Sequence, residues 1–144
     1  MQRNNWLIAG GVLSAAASLG HLAVIAGGPD WYRFVGAGEE MAQAAERGSL
    51  MPHLVTVGIA ALLAVWALYA FSGAGLIRRL PLLRTALVAI TAIYLLRALA
   101  LLPLLALKPR LVDTFAVVSS LIVLAYGIAY AVGTWKAWER RPAA

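Results

Sequence analysis

The chain has 144 residues, of which 62% are hydrophobic and only 12% charged, with a mean hydropathy of +0.83. Such a composition is too apolar for an ordinary soluble domain and marks an integral membrane protein. It contains no cysteine, which excludes disulfides, thiolate metal sites, thiol nucleophiles and thiol redox chemistry. The net charge of +6 gives no reason to invoke nucleic acid, because the basic residues are distributed as a membrane topology signal.

Four apolar runs have the roughly 20-residue length that a bilayer core demands of a helix: residues 6–26, 50–71, 85–107 and 115–134. The first follows Arg3 and contains "SAAAS", which resembles a cleavage site. Its apolar character continues through "LAVIAGG", long enough to cross a bilayer, so the reading is a true first span. Gly10, Ser14 and Ser18 recur every four positions, as do Gly11 and Ala15. That spacing lets neighbouring helices approach closely, since packing replaces the hydrophobic drive inside lipid.

The first connection, residues 27–49, "GGPDWYRFVGAGEEMAQAAERGS", has 23 residues, long for a link within a bundle, and such a loop usually has structure of its own. Gly27, Gly28 and Pro29 stop the first span, Trp31, Tyr32 and Phe34 suit the headgroup interface, and "EEMAQAAER" is made of good helix formers. A short helix is expected over residues 38–47, with Ser49 capping the second span and the whole loop as a candidate lid. The next connection, "SGAGLIRRLPLLR", is basic and lies partly along the opposite interface, and "KPRLVD" makes a short last turn. The expected fold is therefore all-α: one domain over residues 1–144, a polytopic membrane protein with four antiparallel transmembrane helices and a short extra helix in the first outer loop.

Arg3, Arg78, Arg79, Arg84, Lys136, Arg140 and Arg141 flank one side of the spans against Glu139 alone. The other side carries Arg33, Arg47, Lys108 and Arg110 against Asp30, Glu39, Glu40, Glu46 and Asp113. Positive residues collect on the cytoplasmic side, so both termini are expected there, with some attraction to anionic lipid headgroups.

Arg97 interrupts "AIYLLRALALLPLL". At a helical rise of about 1.5 Å per residue it lies roughly 20 Å from Arg84 and roughly 16 Å from Lys108, near mid-membrane. His21 lies roughly 14 Å from Asp30 by the same rise, at similar depth. Tyr94 shares a helix face with Arg97, and Ser18 with His21. His53 and Thr56 enter from the outer end of the second span, Asp113 opens the fourth, and Ser119 and Ser120 follow. Polar groups thus gather in the outer half.

An intramembrane arginine cannot shed its charge, so it faces a partner or a ligand. Glu39 or Glu40 reaching inward would make it architecture, and a bound headgroup would make it a site. Arg97, Trp31, Tyr32, His53 and Asp113 are the candidate ligand-binding residues. If there is catalysis, His21 is the general acid or base, Glu39 or Glu40 orients it or relays protons, and Tyr94 donates a hydrogen bond. The two histidines lack a ligand-rich spacing, so no metal or other cofactor is expected, and no nucleotide loop or nucleophile motif is present.

At "GGPDWYRFVGAGEEMA", "RRLPLLR" and "IYLLRALAL" the chain resembles small four-helix inner-membrane proteins of bacteria. The resemblance covers nearly the whole chain and implies a four-helix fold in a bacterial inner membrane, without an activity. The leading expectation is a protein that binds, or binds and processes, a lipophilic molecule with a polar or anionic head, such as a lipid, an isoprenoid or a quinone. The alternatives are an oligomeric transporter or channel subunit and a structural or accessory subunit. Expected partners are membrane lipids, such a small lipophile and a homo-oligomeric copy, with no nucleic acid.

Overall fold

The computed structural model describes residues 3–139. In chain order it places α1 at Asn5–Gly27, α2 at Pro29–Phe34, α3 at Glu39–Glu46, α4 at Met51–Gly73, α5 at Leu83–Leu99, α6 at Leu101–Leu107, a 3₁₀ turn at Pro109–Leu111 and α7 at Thr114–Glu139. Among the described residues, four segments are long and apolar enough to cross a membrane: α1, α4, the Leu83–Leu107 stretch formed by α5 and α6, and α7. The protein is thus all-α, a polytopic membrane architecture with extra helical structure in its first loop.

The third span departs from a single continuous helix, being broken between α5 and α6 at Ala100. Pro103 is the cause: it has no N–H to offer the carbonyl of Leu99, and its ring crowds that carbonyl. Ala100 N–H still reaches Leu96 O at 2.9 Å, whereas the Leu104 N–H to Ala100 O bond is stretched to 3.4 Å. The first loop also holds a helix that its sequence conceals. Gly28 turns the chain with φ 72°, a region open to glycine, and Pro29 then starts α2 at a position where its missing N–H costs nothing. The helix expected over residues 38–47 forms as α3, and Ser49 Oγ accepts the Met51 N–H at 3.3 Å at the start of α4.

The chain divides into two compact units, and each is described by itself. The larger comprises the chain up to Ser14 and from Trp66 onward. There α5 runs against α7, and glycines set the close approaches. A Cβ on Gly133 of α7 would stand 2.7 Å from Leu7 Cγ, and one on Gly127 would stand 2.7 Å from Leu95. Gly10 and Gly11 of α1 lie equally tight against the rings of Tyr130 and Phe71, so the small-residue spacing serves packing. Asn4 closes this unit. Its Oδ1 accepts the Leu7 N–H at 3.3 Å as an N-cap, its Nδ2 donates to Gly133 O at 2.6 Å, and its own N–H donates to Ala74 O at 3.5 Å.

The smaller unit, Ala15–Val65, is a helical hairpin with the loop helices at its closed end. Ser18 Oγ of α1 donates to Ala60 O of α4 at 2.7 Å. Val24, Tyr32 and Ala42 form a small buried core, with Val35, Met41 and Ala45 packed on it.

Candidate functional site

In the larger unit the interior polar groups come from four different helices. Ser14 of α1 is fully buried, and its Oγ lies 2.9 Å from the Tyr94 hydroxyl of α5 and 2.8 Å from the Tyr130 hydroxyl of α7. Tyr130 in turn donates to the carbonyl of Trp66 on α4 at 3.1 Å. A carbonyl accepts and cannot donate, so it fixes the direction of the whole relay. Tyr130 gives its proton to Trp66 O, Ser14 donates to Tyr130, and Tyr94 donates to Ser14. The rings reinforce the arrangement: Tyr94 meets Trp66 edge-on at 4.9 Å between centroids, and Tyr126 edge-on at 5.4 Å.

One turn along α5 from Tyr94, Arg97 projects at the surface of the protein, although an intramembrane charge would be expected to turn inward. Its Nη1 donates to Ser120 Oγ of α7 at 3.4 Å, and Ser120 itself is buried. Among the described residues no carboxylate pairs with Arg97: the ion pairs found there all converge on Arg33. Asp113 is occupied locally, with Oδ1 accepting the Ala116 N–H at 2.7 Å as the cap of α7.

The smaller unit gathers charge in its loop. Arg33 Nη2 reaches Glu39 and Glu46 at 2.8 Å each, Nε adds a second bond to Glu39 at 3.0 Å, and Nη1 reaches Asp30 at 3.4 Å. Gln43 Nε2 also donates to Glu39, at 3.3 Å. The hydrogen bonds from Arg33 hold the Glu39 carboxyl below the usual carboxylate range, and those from Glu39 and Glu46 raise the already basic guanidinium further. Arg33 thus ties α2 to α3. Glu39, considered from the sequence as a partner for Arg97 or a proton relay, has Arg33 and Gln43 as its described partners. Glu40 is exposed on α3.

His21 Nδ1 lies 2.8 Å from Ala17 O, one turn back on α1. Since that carbonyl can only accept, Nδ1 carries the proton and Nε2 is the ring position left for acid–base exchange. No hydrogen bond among the described residues joins His21 to Glu39 or Glu40. Tyr32 is buried beneath the loop, with its hydroxyl 3.4 Å from Thr56 Oγ1 and its ring edge-on to His53 at 6.1 Å. The buried His53 Nδ1 has no partner among the described residues. Trp31 lies half-exposed over Gly27, where a Cβ would stand 2.1 Å from its ring.

The structure therefore joins Tyr94 to a hydroxyl relay, Arg97 to Ser120, Tyr32 to His53 and Glu39 to Arg33. His21 falls in the smaller unit, Tyr94 and Arg97 in the larger. Three participants are not singled out as site residues by the sequence. Ser14 and Tyr130 bond across 116 positions, and only the position of a lone serine in an apolar stripe hints at it. Arg33 follows Asp30 by three residues and precedes "GAGEE", a charge pattern legible as a loop clamp. Among the described residues no cluster of three or more histidine, aspartate or glutamate side chains could hold a metal ion. Compared with protein-family models, with curated proteins and with solved structures, the chain matches none.

Proposed function

We propose that the protein binds a lipophilic molecule with a polar or anionic head along α5 and α7, the head meeting Arg97 and Ser120. The observation that carries this is the state of Arg97. At about 1.5 Å per residue it lies roughly 21 Å from Leu83 and roughly 15 Å from Leu107, deep within the third span. A cation there costs about 2.5–3.5 kcal/mol on insertion scales, yet its described compensation is one long hydrogen bond to a hydroxyl. A carboxylate, a phosphate or a ring carbonyl supplies the missing acceptor oxygens, and guanidinium geometry suits the first two in a two-pronged contact.

Depth narrows the class. Reaching Arg97 takes a head small enough to leave the interface and be paired there, as a free fatty acid, an isoprenoid phosphate or a quinone has, on a tail that follows the spanning helices; a bulky phospholipid headgroup fits less well. The tail has an apolar surface to lie on, because Leu96, Leu99, Val118 and Leu121 on the same helices are exposed. The relay from Tyr94 to Trp66 holds α5 in register one turn away. In this reading the chain is a bacterial inner-membrane protein with cytoplasmic termini.

The test is mild detergent extraction followed by native mass spectrometry. The full chain should carry an added lipophile, identified after release, and Arg97→Gln should lose it while keeping its helical content. An identical adduct on Arg97→Gln would remove Arg97 from the binding site.

A further inference from the structure

A second polar surface lies at the end of the larger unit that carries the chain termini. Arg3 precedes α1, Arg78 and Arg79 lie between α4 and α5, Arg84 is in the first turn of α5, and Lys136 is near the end of α7. All five are exposed, and none is ion-paired among the described residues. Glu139, the acidic residue of this end, has Oε1 engaged by the Trp135 indole N–H at 2.7 Å.

Two features make this surface ordered. Asn4 ties the segment bearing Arg3 to Ala74, just before the loop of Arg78 and Arg79, and to Gly133, one turn before Lys136. Ser72, buried at the end of α4, accepts the Leu80 N–H at 2.9 Å and donates to Arg78 O at 3.0 Å. The backbone of Arg78 and Arg79 is thereby folded back against α4. Lys136 Nζ sits 5.7 Å from the centre of the Trp6 ring, within the range of a cation–π contact, and Trp6 and Trp135 are exposed as interface anchors are.

We propose that this surface holds the headgroup of an acidic phospholipid that carries two phosphates. Charge alone would attract any anionic lipid. Here, however, the cations stand on three chain segments that Asn4 and Ser72 tie in place, an arrangement in which a headgroup with two phosphates offers more acceptor oxygens to the set than one phosphate does. Preorganisation by Ser72 and Asn4 lowers the cost of ordering the long side chains on binding.

The experiment offers the full chain in mixed micelles either cardiolipin or phosphatidylglycerol at equal total phosphate, in a phosphatidylcholine background, and counts retained lipid by native mass spectrometry. Wild type should retain cardiolipin in preference. R78Q/R79Q should weaken that retention roughly thirtyfold, from the typical contribution of two basic residues near an anionic surface. Ser72→Ala keeps every charge and frees the loop, and should lower retention several-fold while leaving the α-helical content unchanged. Equal retention of the two lipids by wild type, or undiminished cardiolipin on R78Q/R79Q, overturns the proposal. A Ser72→Ala chain that binds as wild type does overturns its claim of a preorganised surface.

Discussion

The two units solve the problem of polar side chains in opposite ways. In the larger, neutral hydroxyls are buried and satisfied one by one: Tyr94, Ser14 and Tyr130 end on the Trp66 carbonyl. In the smaller, three carboxylates cluster around Arg33 in an exposed loop. Inside lipid an unsatisfied group costs several kcal/mol, so the first arrangement is geometrically demanding. Exposed ion pairs are individually weak and screened by salt, so the second orders a loop without locking it. Arg97 belongs to neither pattern: it is charged like the loop and set within a span like the relay, and that mismatch singles it out.

The contrast can be broken first through packing. Gly133→Ala places a methyl 2.7 Å from Leu7 Cγ and 2.9 Å from the Leu7 backbone nitrogen, where no flexible side-chain tip can yield. Overpacking of this kind costs about 1–3 kcal/mol, and denaturation in mild detergent should show it as the largest loss among these variants. Ser14→Ala removes the middle of the relay and leaves the Tyr94 hydroxyl without its acceptor. A loss of about 1–2 kcal/mol is expected in the same assay, and a loss of similar size from Tyr130→Phe would place both in one network.

Thr134 sharpens the contrast from the other direction. It is buried, and its Oγ1 has no partner among the described residues. Thr134→Val replaces that hydroxyl with a methyl of nearly the same shape, so stability should rise by up to about 1 kcal/mol. A fall in stability would mean that the hydroxyl has a bonded partner.

The smallest global effect belongs to Arg33→Gln, because the clamp is at the surface. Its signature is local: faster proteolytic cleavage between α2 and α3, with salt producing the same change in wild type. The pH dependence follows from Glu39, whose carboxyl is held below its ordinary value of 4.5 by Arg33. A depressed carboxylate stabilises the fold at pH values above its unfolded value and loses that contribution as pH falls through the lower, folded one. Loop protection should therefore be constant from neutral pH down to about 4.5 and fall away below it; protection that persisted through the acid range would deny the clamp its role.

The spans are legible because bilayer thickness writes itself into the length of an apolar run, and α3 because "EEMAQAAE" combines helix formers with a glycine before it. The break at Ala100 is signalled by Pro103 but hidden by the unbroken hydrophobicity around it. Helix α2 escapes notice because two glycines and a proline mark a stop and a restart equally well. Candidate-site residues were legible as types and as positions along their spans. Their partners were not, since Ser14 meets residues 80 and 116 positions away, and side chains in a membrane-spanning helix carry no polarity stripe that announces which face is buried.

The central claim is that Arg97 receives the head of a lipophile, and thermal unfolding of the full chain in detergent tests it most directly. The added molecules are a long-chain fatty acid and the alkane of the same length, each given to wild type and to Arg97→Gln. At a hundred times its Kd a bound ligand stabilises by about 2.7 kcal/mol. The fatty acid should raise the midpoint of wild type, leave that of Arg97→Gln in place, and exceed the alkane in effect. An equal rise in both proteins, or an alkane as effective as the acid, would contradict it.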